Sequence, residues 1–177
     1  MSDLLEEFFC CTPLRQGELD AFADRGVPPL ALVQPDVLMR DVVVYDDAGR
    51  FEFKRWADGA EGVGAIIIMA RSRIGDPMDL VAWTPGDNRL ASWFGYAGLL
   101  GEDSVPLHET VRVHRSPMSW LQASRRGVVL INPARAARAL QDAGPLQAED
   151  LEHAKALKPI VTAVSPTILV PAERAAA

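Results

Sequence analysis

The sequence predicts an α+β fold, in which helices pack on a twisted, mostly antiparallel sheet of four to five strands and the C-terminal half has a βαβα-like order. Two observations predict it. Between residues 41 and 95, short apolar runs are separated by turn sequences, which is typical of antiparallel strands joined by hairpins. Between residues 111 and 142, two apolar runs are each followed by a polar residue, a proline and a helical segment, which indicates strand, helix, strand, helix.

Residues 3–25 predict two short helices. Residues 3–11 and residues 17–25 both carry apolar residues at helical spacing. Gly26 follows the second segment, and glycine often ends a helix at that place. Residues 27–39 contain three prolines. They predict an extended connection, because proline disfavours the helical conformation in the residue before it.

Residues 41–95 predict strands in meander order. Phe51 and Phe53 alternate with polar residues and therefore share one face of their strand. The third run is apolar throughout, which is typical of a central strand buried on both faces. Trp83 and Trp93 lie on the two arms of the second hairpin, which makes them candidate cross-strand neighbours. Packing on the sheet is favoured for the tryptophans, and the alternative is a binding platform of exposed rings. The predicted strands span residues 41–46, 50–56, 63–71, 78–85 and 89–95.

Residues 111–142 predict two strands that each run into the start of a helix. Ser116-Pro117 follows the first strand and Asn132-Pro133 follows the second. Serine and asparagine are good N-cap residues, and proline is favoured at the first helical position. Both helix starts are therefore predicted directly from local chemistry.

Residues 147–158 predict the last helix, because acidic residues stand near its start and lysines near its end. Pro159 is expected to stop it. A final strand broken at Pro166 follows, and residues 171–177 are predicted to form a flexible tail. We therefore predict a single α+β domain over residues 1–170.

The composition indicates a soluble cytoplasmic protein of bacterial type. The chain has 177 residues, of which 49% are hydrophobic, and a formal charge of −6. The N-terminus lacks the basic segment of a secretory signal, and the longest apolar run, residues 62–70, is too short to span a bilayer. Cys10 and Cys11 are adjacent, so they cannot join distant segments by a disulfide, and reduced core thiols are expected.

No catalytic signature accompanies these elements. His108-Glu109 begins like the zinc-binding helix H-E-x-x-H, but Arg112 stands where the second histidine is required. The nucleophile elbow G-x-S-x-G and the phosphate-binding loop that ends in Gly-Lys-Ser/Thr are both missing. We predict no cofactor, and the sequence identifies no catalytic residues.

Two pairs of side chains are the best candidates for a metal site. Asp76 and Asp79 stand near a strand start, where two carboxylates suit a divalent cation, but Gly-Asp-Pro is also an ordinary turn sequence. Asp150 and His153 share a helix face at a spacing that some metal centres use. A solvated helix start explains the second pair equally, and we predict no metal site.

A basic junction is the one candidate that remains. Residues 108–141 carry six arginines against one glutamate, hence a net charge of +5. If the two strands of this region are adjacent and parallel, their carboxyl ends meet at one sheet edge, where open sheets place ligands. The alternative is that the polar residues are simply helix caps. The predicted anion-binding residues are Arg112, His114, Arg115, Ser116 and Asn132.

The favoured functional hypothesis is a non-catalytic binding or protein-interaction module. It would contact a protein partner or a small anionic ligand through residues 112–133, and not a membrane. Its basis is the lack of polar residues at enzyme spacing, and the motifs indicate no known family.

Two alternatives stay open. The first is an accessory protein that binds nucleic acid with residues 112–138, in which Trp120 stacks on bases and Arg125 and Arg126 supply positive charge. The second is a small hydrolase or transferase that acts on an anionic substrate, with a neutral, half-exposed His114 as the base.

Overall fold

The computed structural model describes residues 3–57, 59, 61–162 and 168–169. Within them the chain forms five α-helices and eleven strands in two sheets. The helices are α1 (Leu4–Cys10), α2 (Gln16–Asp24), α3 (Pro117–Gln122), α4 (Pro133–Ala139) and α5 (Leu151–Val161), and short 3-10 turns span Pro29–Leu32 and Glu102–Ser104. The strands are β1 (Thr12–Pro13), β2 (Met39–Tyr45), β3 (Phe51–Phe53), β4 (Val63–Arg71), β5 (Pro77–Thr84), β6 (Arg89–Ser92), β7 (Leu99–Leu100), β8 (Val111–His114), β9 (Val128–Leu130), β10 (Leu146–Gln147) and β11 (Ile168–Leu169).

The first sheet, which we name the antiparallel sheet, consists of β1 to β6 in the order β1-β2-β4-β5-β6, with β3 paired to β2. Its central strand is β4, whose residues 65–70 are all buried, because it is covered on both faces. Phe51 and Phe53 are both buried on one face of β3. The α+β class, the mostly antiparallel sheet and this central strand are therefore confirmed.

Two details of the antiparallel sheet differ from the prediction. The strands do not follow a simple meander, since β4 bonds directly to β2 and leaves β3 on the outer side of β2. Trp83 lies opposite Leu90 and packs in a different hydrophobic cluster from Trp93. The predicted tryptophan pair is wrong, because strand β6 ends at Ser92 before it reaches Trp93.

The second sheet, which we name the mixed sheet, has the order β11-β10-β8-β9-β7. Strands β8, β9 and β10 run parallel, and β7 is antiparallel to β9. Helix α3 connects β8 to β9, and α4 follows β9. The predicted βαβα order is therefore confirmed, and the two strands of the basic junction are adjacent and parallel.

A shared hydrophobic cluster joins the two sheets. It contains Ile68 and Trp83 of the antiparallel sheet, Val129 of the mixed sheet, and Leu121 of α3. The opposite face of the mixed sheet carries Val111, Val113 and Val128, which pack with α4 and α5. Because successive strand residues point to opposite faces, the residues between these valines face α3.

Two predicted elements are corrected, the connection at 27–39 and the last helix. Residues 27–39 include a 3-10 turn at Pro29–Leu32 and are not extended throughout. Helix α5 begins at Leu151, because the Asp150 side chain accepts the His153 N–H as an N-cap, and it runs to Val161 with Pro159 inside it. A proline removes only one backbone hydrogen bond from a helix. Helix α5 therefore continues through Pro159 and ends two residues later, at Val161. The predicted break at Pro166 and the tail at 171–177 lie outside the described residues.

The two cysteines are free thiols. Cys11 is buried and donates to the Glu7 carbonyl at 3.4 Å, whereas Cys10 is exposed. Burial raises the pKa of Cys11 to about 12. Across the part of the chain that the structure describes, no helix is both long and apolar enough to cross a membrane.

Candidate functional site

Three parallel strands of the mixed sheet end at the same edge, which we name the carboxyl edge. It comprises the last residue of β8 and the residues that follow β8, β9 and β10, namely 114–116, 131–132 and 148–150. It contacts the turn between β5 and β6 of the antiparallel sheet, where Asn88 Nδ2 donates to the Arg115 carbonyl at 3.5 Å. It also contacts the segment before β7, where the Gly98 carbonyl accepts the Asn132 N–H at 3.2 Å. In open sheets with parallel strands, such an edge is the usual place for a ligand.

His114 is buried at this edge, because the alternation of β8 turns it toward α3. Its Nε2 lies 2.8 Å from the Arg126 carbonyl oxygen and therefore carries the proton. Its Nδ1 lies 3.4 Å from Glu149 Oε1 without a hydrogen bond among the described residues. Burial lowers the pKa of His114 and outweighs the nearby Glu149, so the imidazole is neutral and both facing atoms are acceptors. The expected half-exposed histidine is wrong in its exposure.

Arg115 forms ion pairs with Glu149 and Asp150, two carboxylates that lie outside the basic segment. Its guanidinium lies 2.5 Å from Asp150 Oδ1 and 3.8 Å from Glu149 Oε2, with 43% of the side chain exposed. An anion at this edge would have to compete with these carboxylates for Arg115. The sequence signal was present, since the pair stands at the start of the last predicted helix, but only the fold brings it to Arg115.

Ser116 and Asn132 act as helix caps. Ser116 Oγ accepts the Ser119 N–H at 3.3 Å, and Asn132 Oδ1 accepts the Arg135 N–H at 3.2 Å. His114, Arg115 and Ser116 are thus consecutive at the carboxyl edge with Asn132 beside them, whereas Arg112 lies within β8, before the edge. The anion-binding role of the five residues stays a prediction.

A cleft of about 260 Å³ opens beside the carboxyl edge, against α5. It is lined by His114 and Arg115 and also by His153, which is buried and whose Nδ1 accepts the Glu149 N–H at 3.2 Å. Burial lowers the pKa of His153. The imidazoles of His114 and His153, both with a lowered pKa, therefore meet the carboxylates of Glu149 and Asp150 at this edge.

Trp120 and Arg125, the expected stacking face, are both buried. The Trp120 indole donates to the Gly127 carbonyl at 2.9 Å. Arg125 is 8% exposed and donates to the carbonyls of Ala31, at 2.6 Å, and Asp36, at 2.9 Å. Burial lowers the pKa of Arg125 to about 10. Trp120 lines a cleft but is only 3% exposed, and its stacking role stays a prediction.

A larger cleft of about 530 Å³ lies where the two sheets meet, and we name it the inter-sheet cleft. Arg71 lines it and holds both oxygens of Asp36, at 2.7 and 2.6 Å. Arg125 lines it from the side of α3. The sequence offered no signal for this cleft, because its residues come from segments far apart in the chain.

Arg112 and Arg126 remain exposed. Their backbones are close, since Arg126 precedes Gly127, and a Cβ built on Gly127 would lie 3.1 Å from the Arg112 Cβ. Arg112 faces the α3 side of the mixed sheet, whereas the exposed arginines Arg135 and Arg138 belong to α4 on the other side. The arginines of residues 112–138 therefore do not share a single face.

The candidate metal residues have other partners. Asp79 is fully buried in β5, and its carboxylate accepts four backbone N–H groups. Asp150 caps α5 by accepting the His153 N–H at 2.8 Å. Among the described residues, no group of three or more histidine, cysteine, aspartate or glutamate side chains is placed to hold a metal ion.

No protein-family model and no curated protein sequence matches the chain. Two solved structures resemble it in fold. The first is the Aquifex aeolicus primase (zinc binding and RNA polymerase domains), at 9% identity and a TM-score of 0.56 over 88% of this chain. The second is the primase fragment of the bacteriophage T7 primase-helicase protein, at 14% identity and a TM-score of 0.50 over 90% of this chain. The chain spans 49% of the first structure and 69% of the second.

This likeness covers nearly all of the chain and therefore includes both sheets. It contradicts the favoured hypothesis of a non-catalytic binding or protein-interaction module, because both similar structures are primases. It agrees better with the alternative of a nucleic-acid-associated protein. What the likeness establishes is the fold: an antiparallel sheet joined to a mixed sheet, as in parts of two primases.

Proposed function

We propose that this chain is a nucleic-acid-associated protein that binds single strands through exposed arginines of its basic segment. The observation that carries the proposal is the fold likeness to two primases, which extends over 88% and 90% of the chain. Primases are nucleic-acid enzymes, and nucleic acid is therefore the class of ligand that we propose for this chain.

Arg112 and Arg126 are the arginines best suited to contact phosphates. Both are exposed, their backbones are close, and no carboxylate of the described residues lies within 4.0 Å of either guanidinium. Arg115 and Arg125 are less suited, because one is held by two carboxylates and the other is buried. Affinity for a phosphate backbone comes mainly from such free cations, through the release of bound counterions.

The test is fluorescence anisotropy of a labelled oligothymidylate, titrated with the protein from about 50 to about 200 mM salt. The wild-type protein should bind, and log K should fall linearly with log salt. In Arg112→Gln/Arg126→Gln the slope should flatten by about 1.4, since each lost contact to a single strand removes about 0.7. At about 0.1 M salt the affinity should fall by roughly 20-fold.

Lys155→Gln/Lys158→Gln is the matched control. It also removes two positive charges, but from exposed positions of α5, on the face of the mixed sheet opposite to Arg112 and Arg126. Its binding should stay close to that of the wild-type protein. No binding at the lowest salt, or an equal loss in both double variants, would contradict the proposal.

A further inference from the structure

The segment that follows β6 is held in place by a buried carboxylate. Asp79 accepts the N–H groups of Phe94 at 2.9 Å, Tyr96 at 2.7 Å and Ala97 at 3.1 Å. A buried carboxylate is tolerated only where hydrogen bonds satisfy it, and here most of those bonds go to this segment. The backbone that carries the aromatic residues 93–96 is therefore fixed by a strong local anchor.

Three rings of this segment and one guanidinium of α4 form a run of planar groups, which we name the aromatic ladder: Trp93, Phe94, Tyr96 and Arg135. The Trp93 and Phe94 rings are stacked, with centroids 4.2 Å apart and planes 25° from parallel. The Phe94 and Tyr96 centroids are 5.8 Å apart at 35°. The Arg135 guanidinium of α4 completes the run at 5.7 Å from the Tyr96 ring centroid.

Core packing explains one end of the aromatic ladder but not the other. Trp93 packs edge-on against the buried Phe53, with centroids 5.4 Å apart, and contacts the cluster on the outer face of the antiparallel sheet. Tyr96 is 55% exposed, and Arg135 is exposed as well. No carboxylate of the described residues pairs with Arg135.

The chemistry of the exposed end suits an unpaired base. Bases of single strands stack on aromatic rings and on guanidinium planes, and a nearby cation attracts the phosphates that join them. The location also fits, because Asn132 of the carboxyl edge caps α4 by accepting the N–H of Arg135.

We propose that Tyr96 and Arg135 form a stacking site for a base of single-stranded nucleic acid. This inference rests on the proposed function and adds to it a defined contact on the α4 side of the molecule. Asp79 is a positioning residue, since it holds the backbone of Tyr96 in place before the nucleic acid binds.

The experiment compares Tyr96→Ala with Tyr96→Phe in oligothymidylate binding at constant salt. Loss of the ring in Tyr96→Ala should raise the dissociation constant by about 5- to 100-fold, as expected for one lost base-stacking contact. Tyr96→Phe keeps the ring and should bind nearly as well as the wild-type protein. Because stacking adds no charge contact, the salt slope of Tyr96→Ala should stay that of the wild-type protein.

Trp56→Ala is the control for the general loss of an exposed aromatic side chain. Trp56 is 57% exposed, which matches Tyr96, and it has no place in the aromatic ladder. Its replacement should leave oligothymidylate binding unchanged. An effect equal to that of Tyr96→Ala would overturn the inference.

The remaining outcomes separate the inference from the proposed function. If the wild-type protein binds and the Arg112/Arg126 variant binds less, while Tyr96→Ala binds normally, the stacking site is wrong and the proposed function stands. If the wild-type protein binds no oligonucleotide, the proposed function fails and the stacking site fails with it.

Discussion

The carboxyl edge and the inter-sheet cleft each hold an arginine of the same basic segment, but the two regions treat it in opposite ways. Arg115 at the edge is 43% exposed and paired with side-chain carboxylates. Arg125 at the cleft is 8% exposed and bonded to backbone carbonyls of a distant segment. Ten positions separate them in a chain where both look alike. Burial therefore decides which arginine supports the fold and which stays near the solvent.

The largest effect is expected at the inter-sheet cleft. Arg125→Ala should lower the free energy of unfolding by about 3 kcal/mol, because two buried carbonyl acceptors lose their donor and the side chain no longer packs by Trp120. Urea denaturation measures it. The neighbouring Arg126→Ala, at an exposed position, should change the same quantity by no more than about 0.5 kcal/mol. Similar losses in both variants would contradict the contrast in burial.

A pH-dependent effect is expected at the buried side of the carboxyl edge. Because the folded pKa of His114 is lowered, the unfolded chain binds the proton first as the pH falls. The stability contribution is complete above the unfolded pKa of about 6.5 and is lost as the pH falls through that value toward the folded pKa. Thermal unfolding from pH 7.5 to pH 5 should show the decline at acidic pH, with a parallel share from His153, whose pKa is also lowered.

His114→Gln should reduce this acid sensitivity. Glutamine has no titrating group and still offers an N–H toward the Arg126 carbonyl. His108→Gln, which replaces an exposed histidine, is the control. An unchanged pH profile in His114→Gln would show that the buried imidazole is not responsible.

The smallest effect is expected at the exposed side of the carboxyl edge. Arg115→Ala should shift the thermal midpoint by no more than about 3 °C, because exposed ion pairs contribute little and salt screens them. The difference in thermal midpoint between Arg115→Ala and the wild-type protein should be smaller still at high salt. A loss as large as that of Arg125→Ala would mean that Arg115 supports the fold as strongly as the buried arginine does.

The two sheets were not equally predictable. Most strand pairs of the antiparallel sheet are neighbours in the chain, so their alternation and turns indicate both the strands and their partners. The mixed sheet contains β7 and β10, which are two residues long. Such strands carry no periodic pattern, and only the packing around β8 and β9 brings them into a sheet. The sequence therefore predicts the βαβα order, but it predicts one sheet where the structure has two.

The candidate sites show the same division. Helix caps at Ser116 and Asn132 follow from local chemistry, and the structure has both. The aromatic ladder does not follow from local chemistry, because its anchor Asp79 lies 15 to 18 positions before the groups that it binds. A signal was present in the aromatic run 93–96, but nothing in that run indicates that α4 would supply Arg135.

The sequence alone was sufficient for the α+β class, for the strand ends that run into capped helices, and for a basic segment within an acidic chain. Only the tertiary structure decided which basic residues are available to a ligand. Arg115 meets carboxylates 34 and 35 positions further on, and Arg125 meets carbonyls 94 and 89 positions earlier. Charge is a property of the residue, whereas burial and pairing depend on contacts between distant segments, which a local pattern does not contain.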